Sequence, residues 1–344
     1  MKTHAYLPGL DLVRVSCIGA ILVYHFWAET ASAGLIPAGP GPCTGVLVQC
    51  AVCMMTILSG VCLAWRESGR VWSGRRYARD RFLAVYPLFW ACFFPLFLYS
   101  DLLHGNNADV PRWKLLLSVL GLDGFLQPYT STFYKVGEWY LGCILLLYLL
   151  FPPFWRLMRR GKGRWVGLAA LGVWAGGPLL CPAGRNLYQT VWGQLPLFLA
   201  GMLLGRARPP RRVGIGLAGA AFLLGLGLGA AGAPDYYSGT LASLCGFGVL
   251  FGAGQWLLCR RCTVQRALCW LARQSYGAFL IHHVTITLVF VPALARCRMT
   301  PGRWLAALVL LLAVSFGLSR LLSVLTGRIC RAFSALCRKN HADA

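Results

Sequence analysis

Long apolar runs, separated by short arginine-rich turns, set the pattern of this chain. A membrane-crossing helix needs about 20 predominantly apolar residues. Ten stretches approach that length, at roughly 8–28, 44–65, 82–103, 136–157, 164–182, 189–205, 212–232, 237–258, 276–296 and 303–325. Several are interrupted by Gly or Pro, which membrane helices tolerate where neighbours satisfy the freed backbone groups. The apolar piece Trp113–Leu122 is too short to span and is expected to lie along an interface. The pattern therefore predicts an all-α fold, a polytopic membrane helix bundle of about ten transmembrane helices.

The placement of charge supports the same reading. Basic residues crowd alternate turns: Arg66 to Arg81, Arg156 to Arg164, Arg206 to Arg212, Arg260 to Arg273, and the tail after Thr326. The intervening turns carry few, and those beside Glu29 and Asp235 carry none. By the positive-inside rule this alternation predicts that both termini are cytoplasmic. The net charge of +23 is thus a feature of topology and gives no reason to expect nucleic acid as a partner. At 58% apolar and 12% charged, the chain is too oily for an ordinary soluble protein, and the lipid bilayer is its first expected partner. The 15 cysteines lie mostly inside apolar segments, where they act as small hydrophobes, so neither a zinc site nor a disulfide framework is expected. The first apolar segment lacks a small-residue cleavage site and reads as a retained helix. One domain over 1–344 is expected, with a core at about 5–325 and a basic tail at 326–344.

Chemistry enters with the first span, Gly9 to Trp27, which carries Asp11, Arg14 and His25. Arg14 and His25 are nearly three helical turns apart, so they share a face roughly 16 Å apart along the axis. Asp11, one turn before Arg14, falls close to the same stripe. A charge in lipid costs about 2.5–3.5 kcal/mol, so the stripe is expected to face protein or water. An alternative remains open, in which Asp11 and Arg14 meet head groups and His25 sits at the opposite interface. An imidazole at that position suits proton transfer near neutral pH.

Three further polar features stand out. Glu138, at the start of the fourth span, is expected at a depth comparable to His25, where it could orient that imidazole and stabilise its charged form, or it could be an interfacial residue in an aromatic belt. The run Arg75-Arg-Tyr-Ala-Arg-Asp-Arg81 reads as a loop before a helix, able to bind phosphate or to act as a topogenic segment drawn to anionic lipid. The segment Gln274 to His283 brings Ser275, Tyr276 and two histidines. Adjacent histidines diverge on a helix, so at most one of His282 and His283 is expected to point inward. No metal site is expected, because no carboxylate adjoins them in sequence.

Taken in order, these motifs resemble the acyltransferase-3 family of integral membrane acyltransferases. The resemblance rests on Gly9-Leu-Asp-x-x-Arg14 with His25, on Arg81-Phe-Leu-Ala-Val-Tyr-Pro87, and on Glu138-Trp-Tyr-Leu with Tyr148-Leu-Leu-Phe-Pro152. It continues through Leu195 to Gly205 and ends at Ser275-Tyr-x-x-Phe-Leu-Ile-His282. The family includes O-acetyltransferases of bacterial surface polysaccharides. The resemblance implies an acyl-CoA donor, with acetyl-CoA the leading choice, and a carbohydrate or other hydroxyl acceptor at the outer side. It further implies no permanently bound cofactor and residence in the plasma (inner) membrane. It assigns Arg14 and His25 as the family's first-helix pair, with His25 the catalytic base, and matches Ser275, Tyr276 and His282 to its late Ser-Tyr…His motif. Glu138 joins the catalytic set and Asp11 the supporting one from the residue reading above. Arg81 matches the first arginine of the family's Arg-x-x-Arg pair, while Ala84 stands at the second. Arg76 and Arg79 offer the same charge one to two turns earlier, so Arg76, Arg79 and Arg81 become the expected donor-binding set. A second class stays open: a transporter or flippase for a lipid-linked sugar, using His25 and Glu138 as a proton relay. A third is a membrane scaffold without catalysis.

Overall fold

A computed structural model describes residues 6–39, 41–181, 185–207, 219, 223, 235–258 and 262–342. Its long elements are all helices: α1 (Pro8–Ser32), α2 (Pro42–Ser68), α3 (Gly74–Phe97), α4 (Trp139–Arg159), α5 (Gly163–Leu180), α6 (Val191–Ala207), α7 (Asp235–Leu257), α8 (Cys262–Thr285) and α9 (Pro301–Ala342). Among the described residues there is no β-strand, only an isolated bridge between Gly124 and Glu138. Among the described residues, seven helices are long and apolar enough to cross a membrane, and they coincide with seven of the expected spans. Helices α5 and α6 form where two more were expected, but they have only 18 and 17 residues and fall outside those seven. The span expected at 212–232 lies outside the described residues except for 219 and 223, both helical. The fold is an all-α polytopic bundle.

Three boundaries differ from the sequence reading. Helix α3 starts at Gly74, so Arg75–Arg81 is helix and not loop. Arg and Ala are good helix formers, and the run contains no Gly or Pro to stop a helix growing outward from the apolar span. Helix α8 starts at Cys262 for the same reason, well before the apolar segment. The piece expected along an interface is a short turn at Arg112–Lys114 followed by a five-residue helix, Leu115–Val119, with Trp113 and Leu116 exposed.

The chain divides into two compact units. The first comprises Met1–Ser73 and Cys143–Arg273, the second Gly74–Gly142 and Gln274–Ala344. In the first unit, α2 and α6 approach until backbone touches backbone. A Cβ built on Gly60 would collide with the Phe198 carbonyl, and one on Gly201 or Gly205 with the carbonyls of Ile57 or Val61. Small residues four apart are the general means by which membrane helices pack this closely, since lipid supplies no hydrophobic drive between them. The same seam buries Gln194, which donates to Tyr188 O at 2.7 Å while its Oε1 accepts from Thr56 at 2.6 Å. Helix α1 docks on α7 through Gly9, whose N–H donates to Gln255 Oε1 at 3.1 Å.

The second unit is held by aromatic side chains and a loop hung beneath them. Phe89, Phe93 and Phe97 stack along α3 at centroid spacings of 5.7 Å, and Phe133 closes on Phe97 edge-on. Tyr86 and Trp90 donate to the carbonyls of Leu120 and Val119, fastening the segment after α3 to that helix. Helices α8 and α9 meet at Gly277 and Ser319, where the Ser319 hydroxyl donates to Gln274 O at 2.7 Å.

The α2–α6 seam yields a stability test. Gly201→Val is expected to destabilise the chain by about 1–3 kcal/mol, the usual cost of overpacking. Gly172→Ala, at a glycine whose Cβ would meet nothing within 4 Å, is expected to be neutral. Thermal unfolding in detergent, followed by tryptophan fluorescence, compares the two.

Candidate functional site

The approach to Glu138 is fastened at several successive points. Lys135 pairs with Asp101 at 2.8 Å, both side chains largely buried. The N–H of Phe133 donates to Ser118 Oγ, and that hydroxyl donates to Asp123 Oδ1 at 2.8 Å. Gly124 bridges to Glu138, and a Cβ at Gly124 would strike the Glu138 backbone. Gly137 then turns the chain with φ +83°, a conformation L side chains rarely adopt. Beyond it the Glu138 carbonyl accepts from Leu141 N–H, beginning α4. The carboxylate therefore sits at a helix N-terminus, where the aligned peptide dipoles favour negative charge.

Two imidazoles from α8 meet this carboxylate. His282 Nε2 is 2.9 Å from Glu138 Oε1, and His283 Nε2 is 3.4 Å from the same atom. The sequence reading expected at most one of these histidines to point inward, and it is corrected here. Their rings lie 4.7 Å apart, because both side chains swing toward one oxygen from adjacent positions. The His282 side chain is 1% exposed and that of His283 29%. Nδ1 of His282 contacts Phe279 O at 2.6 Å, which fixes the ring. Tyr140 and Phe279 pack edge-on beside it.

Supporting residues take plainer roles. Tyr276 donates to the Val85 carbonyl at 3.2 Å, tying α8 to α3, and Ser275 is buried. The arginine turn of α3 has Arg79 exposed and 3.4 Å from Asp80, while Arg76 and Arg81 are partly buried. Ala84, where the family motif has its second arginine, is exposed.

The ionisable residues of α1 belong to the first unit. Its buried face is Val13, Cys17, Ile18, Ile21, Leu22 and Phe26, and Asp11, Arg14 and His25 lie beside it, all partly buried. Asp11 accepts from Tyr6 at 2.8 Å. Tyr6 lies before the span, and partial burial followed by the hydrogen bond and charge of Asp11 pushes its phenol pKa well up. Arg14 reaches Cys62 Sγ of α2 at 3.8 Å, and His25 packs edge-on against Tyr24 at 5.4 Å.

An acyltransferase domain family, Acyl_transf_3, matches residues 7–320 of this chain. The chain belongs to the acyltransferase-3 family. No curated protein and no solved structure gives a match. Membership makes this a membrane acyltransferase in the broad sense. The match spans both ends of the motif series, from the Arg14 helix to α9.

The sequence reading named His283 but missed its approach to Glu138, and missed the Asp101–Lys135 pair and the Ser118–Asp123 contact. Only the glycine before Glu138 advertised a tight turn there; the other contacts join elements that composition cannot pair. Burial raises the pKa of Asp123 above the ordinary carboxylate range, against hydrogen bonds from Ser118 and Thr132 and the charge of Lys135. A carboxyl with a raised folded-state pKa stabilises below its unfolded value, near about 4, and that contribution is lost as pH rises through the folded value. Asp123→Asn is therefore expected to flatten the fall in unfolding temperature as pH rises from about 4 toward neutrality. An unchanged slope in a pH series of melting curves would exclude Asp123 as its source.

Proposed function

We propose that this acyltransferase-3 member moves an acyl group, most simply acetyl, from acyl-CoA on the cytoplasmic side to a hydroxyl of a cell-surface carbohydrate or similar acceptor. The plasma (inner) membrane is the proposed location. The observation that carries the reading is the family match across residues 7–320 on a helix bundle with seven membrane-length spans.

His25 is proposed as general base. It takes the proton of the acceptor hydroxyl, the oxygen bonds to the thioester carbonyl carbon, and the carbon–sulfur bond breaks with CoA leaving as thiolate. Base catalysis of this kind is worth about 10²–10⁴-fold. Arg14 opposes negative charge on the donor or the tetrahedral oxyanion. Glu138, against which His282 lies, supplies negative charge for an imidazole that gains a proton. Arg76, Arg79 and Arg81 receive the CoA phosphates, and the exposure of Arg79, whose side chain is 67% accessible, supports that role.

Purified protein supplied with labelled acetyl-CoA and a panel of cell-wall and capsule fragments is expected to release CoA only when an acceptor is present. His25→Ala should lower that release by at least about 100-fold while the protein stays folded. Joint replacement of Arg76, Arg79 and Arg81 by alanine should raise KM for acyl-CoA more than it lowers kcat. Full activity of the His25 variant would remove that residue from the mechanism.

A further inference from the structure

Glu138 Oε1 is the meeting point of two imidazole nitrogens, His282 Nε2 at 2.9 Å and His283 Nε2 at 3.4 Å. The other ring nitrogen of His282, Nδ1, contacts Phe279 O at 2.6 Å, an atom that only accepts. Nδ1 therefore carries hydrogen, and Nε2 of the neutral ring presents a lone pair. The carboxylate opposite also presents lone pairs, so a cation belongs between them. A proton serves one imidazole. Here two imidazoles turn to the same oxygen, although adjacent side chains on a helix ordinarily diverge by about 100°. A divalent ion satisfies all three atoms together.

The spacing fits such an ion. Zinc binds histidine nitrogen at about 2.0–2.1 Å and carboxylate oxygen at about 2.0–2.2 Å, and a tetrahedron of those lengths sets ligand atoms about 3.3–3.5 Å apart. The Glu138, His282 and His283 donor atoms lie within 4.8 Å of one another, with the two nitrogen–oxygen separations at 2.9 and 3.4 Å. The 3.4 Å separation already has the tetrahedral length, and a shift of the Glu138 carboxylate by a few tenths of an ångström would bring the 2.9 Å one to it. The contact from His282 Nδ1 to a backbone carbonyl is the outer contact that fixes tautomer and orientation in metal-binding histidines. Two neutral imidazoles and one carboxylate form the ligand set of zinc-class sites that take an exogenous oxygen as fourth ligand. No metal was expected from the chain, because the carboxylate comes from the start of α4, distant in sequence from both histidines.

We propose that Glu138, His282 and His283 form a binding site for one divalent transition-metal ion of the zinc class. This goes beyond the acyl-transfer reading and does not depend on it. Chelator-treated full-length protein in detergent, titrated with Zn²⁺ and then with Co²⁺, is expected to bind one equivalent per chain. The Co²⁺ form should show the intense visible absorption of tetrahedral coordination. Glu138→Gln and His283→Ala should each weaken binding by more than about 100-fold, beyond the loss seen when only an outer contact is removed. Glutamine is close in shape to glutamate, and His283 is partly exposed, so at least one variant should fold. Absence of stoichiometric binding would overturn the proposal. So would binding unchanged in both variants, which would place the ion on the chain's cysteines. Nitrogen-15 spectra of metal-free and metal-treated protein alike showing His282 protonated at both nitrogens would assign the cation as a proton and overturn it too. These readouts are metal content and spectra, so their failure leaves the transfer reading standing, and loss of transfer leaves the metal result standing.

Discussion

A carboxylate at the mouth of an apolar helix persists only where positive charge or hydrogen donors surround it, and Glu138 is placed under that constraint. Hydrocarbon makes an uncompensated charge costly by about 2.5–3.5 kcal/mol, and removing one partner of a buried ion pair typically costs about 3–5 kcal/mol. The N-terminus of α4 and the cation that the two imidazoles share with this carboxylate supply the compensation. Several contacts of the second unit fix how this oxygen meets those rings. The Asp101–Lys135 pair, the Ser118–Asp123–Phe133 contacts and the turn at Gly137 each remove freedom from the segment that ends at Glu138.

The first unit solves a different problem with different means. Its helices gain little from burying apolar surface against one another, because lipid is equally apolar. Close approach substitutes for that drive. Gly60, Gly201 and Gly205 let α2 and α6 touch along their backbones, and the Gln194 network satisfies its polar atoms inside the seam. Such rigidity matters to α1, which packs its apolar face into this unit and leaves Asp11, Arg14 and His25 on a partly covered side. An ionisable stripe can serve chemistry only if the helix beneath it does not rotate.

Much of this was legible in the chain before any coordinates. Seven spans followed from apolar run length, because the membrane fixes how long a helix must be. The motif order from Arg14 to His282 pointed to the family that the comparison then established. What could not be read was pairing between distant elements. Glu138 was expected to serve His25, and nothing local indicated that His282 and His283, which lie on another helix, meet it. Helix starts were also misplaced at α3 and α8, since hydropathy marks where a helix enters lipid and helix propensity decides where it begins. The Gly201-x-x-x-Gly205 spacing was not read as a packing face, and nothing in it names α2 as the partner.

The interaction on which the account rests can be measured directly as a coupling. A double-mutant cycle of Glu138→Gln and His282→Asn, read by reversible unfolding in detergent, isolates the energy between the two side chains. The account predicts a coupling of about 1–3 kcal/mol, the upper part of the range for residues in direct contact. Additive effects, with no coupling beyond about 0.3 kcal/mol, would show that the carboxylate and the imidazole do not act together and would contradict it.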